Sequence, residues 1–286
     1  MSFFIAEVSS NHSRDIDRAI KFIDTAAEIG CDAVKFQLFK IDKLFAAEIL
    51  ERSEKHRNRK LWELPLDFLP ILSNRCVEKN IQFSCSPFYL DAVQELEPYV
   101  DFYKIASYEL LWDDLLIACA RTRKRVIIST GMANLDEISH AVNVLRRNNC
   151  EPTVLHCTSA YPTPVNEANL SAIKTIRKSL GCKVGWSDHT VEPGVIHRAI
   201  HKWKAKVIEF HLDLEGKGEE FKSGHCWLPN QISEVIRQVQ NVKNADGKGV
   251  KEPVPSEKSD RLWRTDPSDG LRPFKSIRKH FSSKLN

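Results

Sequence analysis

Eight short runs of β-branched and aromatic residues recur along the chain, and each is followed by a stretch with helical periodicity. The runs are FFIAEV (3–8), AVKFQLF (33–39), IQFSCS (81–86), FYKIAS (102–107), RVIIST (125–130), TVLHCT (153–158), KVGWSD (183–188) and KVIEFHL (206–212). The clearest helical patterns cover 15–29, 66–79, 135–147, 168–180 and 228–243. The first sets Ile16, Ile20, Ile23 and Ala27 on one face, and Gly30 stands where a helix C-cap belongs. Strands that alternate with helices pair in parallel, through right-handed crossovers. Eight such units fit a closed barrel better than an open sheet, and 286 residues give one barrel of about 250 residues plus an appendage. The expected fold is α/β, a (β/α)8 TIM barrel over residues 1–245 with a short irregular C-terminal arm over 246–286. The arm is rich in Pro, Gly and charge.

Strands built to be buried have little use for polar residues unless something meets them. Yet every run carries them toward its C-terminal end. They are Glu7; Lys35 and Gln37, on one face because side chains alternate; Ser86; Lys104 and Ser107; and Ser129 and Thr130. The series continues with His156 and Thr158, then Ser187 with His189 just beyond, then Glu209 and His211. Any one of them could be a core residue satisfied by a neighbour. All eight sets together mark the face on which barrel enzymes keep their chemistry. Lys35, Lys104 and the hydroxyls make a cationic, donor-rich rim suited to a small anion. His189 and His211 are 22 residues apart, one βα unit, which puts them on adjacent strands about 4.8 Å apart. Two readings follow from that spacing: an open divalent-metal site, or two hydrogen-bonded histidines. Asp188 and Glu209 lie close in sequence and are the expected partners of the imidazoles or of bound water.

Composition narrows the partners. The net charge of +4, from 42 basic and 38 acidic residues, gives no case for nucleic acid. No apolar run approaches the roughly 20 residues of a membrane span. The opening MSFFIAEVSS meets the acidic Glu7 too early for a signal peptide. The eight cysteines contain no CxxC pair and read as reduced thiols of a cytoplasmic protein. Cys85 and Cys157, near strand ends, read as packing residues.

The stretches FIAEVSSNH, GCDAVKFQLFK, FSCSPF, FYKIASYEL, ISTGMANLDEI, LHCTSAYPTP, GWSDHT and VIEFHLDL occur in this order, and some agreement continues to PVPSEKSDR. On these residues the chain resembles the sialic acid synthase family, the NeuB-type enzymes that condense phosphoenolpyruvate with an N-acetylated hexose. The resemblance runs from Phe4 to about Arg261. It implies a (β/α)8 barrel, a homodimer, and a divalent metal, Mn2+ or Mg2+. The products it implies are a nonulosonic acid, from an N-acetylmannosamine-like sugar, and phosphate released by C–O cleavage. His189 of SDHT and His211 of EFH match the metal ligands. Lys35, Lys104, Ser107, Ser129 and Ser187 match groups around the phosphate and carboxylate of phosphoenolpyruvate, with Ser86 in the place of a threonine. Glu7, Gln37, Glu109 and Tyr161 match residues facing the sugar or the reacting carbons, and Ser159 stands where some members have asparagine. Glu7 or Glu209 is the carboxylate expected to stabilise the cation at C2 or to activate water.

Two features depart from the family pattern. The usual members carry a C-terminal antifreeze-like domain whose arginine reaches the partner's site, whereas residues 244–286 are too short and aperiodic for that domain. Arg261, Arg264 or Arg272 could substitute for that arginine, or the segment is an exposed arm that packs on the barrel or a neighbour. The loop EGKGEEFKSGHCWLP lacks the aspartate common before the histidine that His225 resembles. Its glycines, Gly216, Gly218 and Gly224, suit a lid. The basic run EKHRNRK (54–60) reads as a solvated face or as a steering patch for an anion. Two other activities fit the rim: a metal-dependent keto-acid aldolase or lyase, and a barrel that binds a sugar phosphate without turnover.

Overall fold

In the computed structural model of the protein, which describes residues 2–282, the eight runs form parallel strands. They are β1 Phe3–Ser9, β2 Ala33–Leu38, β3 Gln82–Pro87, β4 Phe102–Ile105, β5 Arg125–Ser129, β6 Thr153–His156, β7 Lys183–Asp188 and β8 Val207–Leu212. Neighbours in the sheet follow chain order, and β1 pairs with β8 from Phe3–Val207 to Glu7–His211, so the sheet closes on itself. A two-residue strand, β9 Cys226–Trp227, adds to β8 with Cys226 opposite His211. Strands β4 and β6 stop earlier than expected, at Ile105 and His156. After β4 the backbone turns into a short 3-10 segment, Ser107–Glu109, closed by Glu109 N–H donating to Ala106 O at 3.1 Å. That turn brings Glu109 to the barrel mouth.

Local chemistry explains the helix that follows β1. Asp15 accepts from the backbone of Asp17 and Arg18 at the start of Ile16–Glu28. Gly30, with φ +87°, ends it, and the Gly30 and Cys31 N–H groups bond back to Ala27 and Ala26. Helix Leu135–Arg147 opens on a reciprocal capping box between Asn134 and Glu137.

The barrel interior is layered. Ile5, Ala33, Phe102, Ile127, Leu155 and Val207 form a buried apolar cluster closed from beneath by Phe3. Two residues further along the same strands, and so on the same face, stand Glu7, Lys35, Lys104, Ser129, Cys157 and Glu209. The larger apolar core lies between the outer strand faces and the helices. Among the described residues no helix is long and apolar enough to cross a membrane.

By contacts the chain divides into two compact units, Met1–Asn241 and Val242–Asn286. The second is more ordered than an irregular arm. It contains helices Lys258–Leu262 and Lys275–Ser282, and Asp266 accepts from the backbone of Ser268 and Lys275. Asp269 pairs with Arg278 at 2.9 Å. Arg261, Arg264 and Arg272 belong to this unit, where Arg272 donates to Thr265 Oγ1 at 3.3 Å.

Gly185 in β7 marks a close approach of neighbouring strands. A Cβ there would lie 2.3 Å from the Val207 carbonyl oxygen and 2.7 Å from Leu155 Cδ2. The carbonyl belongs to the neighbouring strand and cannot retreat without opening the ladder. Gly185→Ala should therefore destabilise the protein by about 1–3 kcal/mol, read as a lower urea midpoint at constant slope. An unchanged midpoint would show that the strands have slack at this position.

Candidate active site

A cavity of about 620 Å³ opens above the polar layer, at the C-terminal ends of the strands. Glu7, Lys35, Gln37, Lys104, Ser107, Glu109, Ser129, Tyr161, Ser187, His189, Glu209 and His211 all line it. Two expected site residues stand behind the lining. Ser86 accepts from Lys35 Nζ at 3.3 Å. Ser159 is packed against Gly131, where a Cβ would fall 2.0 Å from its Oγ.

The floor is a chain of buried charges. Glu7 lies opposite Lys35 in the β1–β2 register and contacts its ammonium. Gln37 Nε2 donates to the other Glu7 oxygen at 2.6 Å. Glu209 Oε1 lies 3.9 Å from Lys35 Nζ and 3.4 Å from Lys104 Nζ. Burial works against the charge of Lys35, but Glu209 and Glu7 outweigh it and hold its pKa above the ordinary lysine value. For Lys104 burial prevails over Glu209, with Lys35 adding to it, and the pKa falls. Burial also opposes the charge of Glu209, but the two lysines more than offset it and keep the carboxyl below its usual range. Ser129 Oγ and Glu209 Oε2 are buried with no hydrogen-bond partner, as expected of groups that await a ligand. Ser107 Oγ accepts from Gly131 N–H at 3.0 Å and lies 3.3 Å from Cys157 Sγ.

The histidines stand one layer higher. His189 follows β7 directly, and the β7–β8 register pairs Asp188 with Phe210, so His189 is level with His211. Their ring centroids are 5.3 Å apart, and Tyr161 lies 4.3 Å from His189. His189 Nδ1 is 2.9 Å from Thr158 O. A carbonyl only accepts, so Nδ1 carries the proton and Nε2 keeps its lone pair. Burial, followed by the neighbouring His211, lowers the His189 pKa to about 3, and the ring is neutral. His211 Nδ1 pairs with Glu220 Oε2 at 2.8 Å. Burial disfavours its charge, but the bond to Glu220 and that residue's charge outweigh burial and raise its pKa. Two imidazoles anchored through Nδ1, with Nε2 left to offer, fit a divalent cation.

The expected partners of the imidazoles need correction. Asp188 accepts from Trp186 Nε1, Thr190 Oγ1 and Trp227 Nε1 at 2.7–3.0 Å and touches neither histidine. It precedes His189 by one residue, so the pleat turns it to the other face. Glu209 serves the lysines instead. Thr158 O and Glu220 hold the rings. Glu220 escaped the sequence reading because it sits beside Glu219 in a glycine-rich loop, where an acidic pair looks like a solvated surface. His225 also lines the cavity, as do Phe45, Arg59 and Trp62 from the segment after β2. The Arg59 guanidinium stacks 5.5 and 5.3 Å from the Phe45 and Trp62 rings.

Fold and site together define a class: a (β/α)8 barrel with a cationic floor and a paired-histidine rim at its catalytic face. Residues 22–251 match the NeuB family, and the chain belongs to that family. It is 34% identical over 276 residues to the N,N'-diacetyllegionaminic acid synthase of Campylobacter jejuni, covering 90% of this chain and 80% of that protein. It is 31% identical to the N-acetylneuraminate-9-phosphate synthase of Mus musculus, covering 89% of this chain and 74% of that one. The crystal structure of the N-acetylneuraminic acid (sialic acid) synthetase from Leptospira borgpetersenii, in complex with citrate, superposes with a TM-score of 0.78. That match has 29% identity and covers 94% of this chain and 93% of that one.

Glu109 lies in the cavity wall with Oε2 unpartnered, and burial raises its pKa to about 7. Folding thus favours its protonated form. The associated stability is complete below about pH 4.5 and is lost as pH rises through 7, on the order of 3 kcal/mol at most. Glu109→Gln has no proton to lose and should flatten that decline in a denaturation series from pH 4 to 8. An identical decline in the variant would place the titration elsewhere.

Proposed function

We propose that the chain condenses phosphoenolpyruvate with the open-chain form of an N-acetylated hexose, N-acetylmannosamine-like, to give a nonulosonic acid and inorganic phosphate. One observation carries the reading: a single cavity combines a buried two-lysine floor with two histidines whose Nε2 positions are free to ligate. The names of the relatives, synthases of acids of this type, support it.

Lys35 and Lys104 hold the phosphate and carboxylate, and the hydroxyls of Ser107, Ser129 and Ser187 orient them. A divalent ion, Mn2+ or Mg2+, on His189 and His211 would supply Lewis-acid polarisation of the aldehyde oxygen. The enol carbon C3 attacks the aldehyde carbon and forms the new C–C bond. The cation left at C2 is stabilised by Glu7 and Glu209, whose charges are fixed in place before the reaction. Water adds to C2, and the C–O bond to the phosphate breaks, so the bridging oxygen leaves with phosphorus. Glu109, half-ionised near neutral pH, suits the transfer of the proton from that water better than the lysine-paired carboxylates. Tyr161, stacked on His189, gives the sugar a wall.

Phosphate release from phosphoenolpyruvate should require both the divalent ion and an N-acetylated hexose. Cleavage of a keto acid without phosphoenolpyruvate would point to the lyase reading instead, and phosphate release without sugar would contradict the condensation. Lys35→Ala and Lys104→Ala should each raise the KM for phosphoenolpyruvate roughly tenfold or more, the equivalent of one charge-assisted contact of about 1.5–3 kcal/mol. Unchanged KM values in both folded variants would remove the anion floor from the account.

A further inference from the structure

The loop after β8 gathers three ligating groups that the proposed reaction does not use, Glu220, His225 and Cys226, and sets them beside His211. Glu220 reaches back from the short helix Glu219–Lys222. Its Oε2 lies 2.8 Å from His211 Nδ1, 3.6 Å from His225 Nε2 and 3.9 Å from Cys226 Sγ. His211, Glu220, His225 and Cys226 each offer one ligand atom, all within 4.8 Å of one another. The β8–β9 ladder fixes the arrangement, because Cys226 opens β9 directly opposite His211 and His225 precedes it.

His225 supplies an independent sign of a ligand. It is 6% exposed, its Nδ1 has no hydrogen-bond partner, and its Nε2 lies beyond hydrogen-bond distance of Glu220. Buried polar groups are almost always paired, yet His225 leaves Nδ1 unpaired while its Nε2 faces the Glu220 carboxylate at 3.6 Å, beside a second imidazole and a thiol.

We propose that His211, Glu220, His225 and Cys226 form a binding site for a zinc-class ion, separate from the cavity-side position between His189 and His211. Two imidazoles, a carboxylate and a thiolate make a four-coordinate donor set of the kind zinc takes. The thiolate discriminates against manganese and magnesium, which prefer oxygen. Binding expels the Cys226 proton and shifts the His211 proton from Nδ1 to Nε2. A neutral imidazole has one lone pair. When His211 gives it from Nδ1, the ring's proton sits on Nε2 and the cavity side loses that ligand. The two positions are therefore mutually exclusive, and zinc in the loop pins Glu220 and brakes the reaction. That last consequence rests on the proposed function; the site itself does not.

The test uses the full chain after chelator treatment, with Co2+ as the spectroscopic stand-in for zinc. Wild type should show a sulfur-to-cobalt charge-transfer band and intense four-coordinate visible bands, both displaced by zinc. Cys226→Ser should lose the charge-transfer band, His225→Gln should weaken cobalt binding roughly tenfold or more, and His189→Ala should keep the band. No such band in wild type, or a band that survives in both Cys226→Ser and His225→Gln, overturns the site. Mn2+ paramagnetic resonance then reads the exclusion. Zinc should release bound Mn2+ from wild type and leave it bound in Cys226→Ser. A cobalt band with Mn2+ undisturbed by zinc overturns the exclusion. A cobalt band with no Mn2+ binding at all supports the loop site and counts against the His189–His211 reading.

Discussion

The candidate site depends on the buried charge chain Glu7–Lys35–Glu209–Lys104. Four ionisable side chains, all almost fully enclosed, sit in the centre of the barrel directly on an apolar layer. Taking charges out of water costs several kcal/mol for each ion, and only close pairing offsets it. Here each carboxylate faces a lysine on an adjoining or facing strand, and Glu209 faces two. A layer of leucine and valine would hold the barrel at least as well. In the proposed function the charges serve to meet a ligand, and the strands that carry them hold them in place.

The β pleat turns this constraint into a site. Each strand offers the interior one residue in two, so three levels rise through the barrel. Ile5, Phe102 and Val207 make the apolar plug, Glu7, Lys104 and Glu209 the charged level, and His211 stands two residues above Glu209. An anion held on the charged level lies directly under the histidine pair. The loops add what strands cannot. The turn after β4 presents Glu109 in a water-poor wall, and the loop after β8 brings Glu220 to His211.

Much of this was legible in the sequence because strand periodicity is strict. The eight strands, the polar residues at their C-terminal ends and the level pairing of His189 with His211 all follow from counting in twos along a βα repeat. The same rule should have removed Asp188, which is one residue out of phase with His189 and points to the Trp186 and Trp227 indoles. Glu220 was not legible as a site residue, and His225 and Arg59 were legible only as members of a lid-like loop and a basic run. They come from segments with no period, where only the folded loop decides which charge turns inward. The helices in the C-terminal segment, Lys258–Leu262 and Lys275–Ser282, were hidden because each is too short to display an apolar period.

The central claim is that the floor and rim act together on an enol phosphate, forming a C–C bond while its C–O bond breaks. Phosphoenolpyruvate labelled with 18O at the bridging position, incubated with the N-acetylated hexose and Mn2+, tests this most directly by mass spectrometry of both products. The account predicts a new sugar acid free of label and inorganic phosphate that carries it. Label retained in the sugar acid, or phosphate formed with no sugar acid at all, would contradict it.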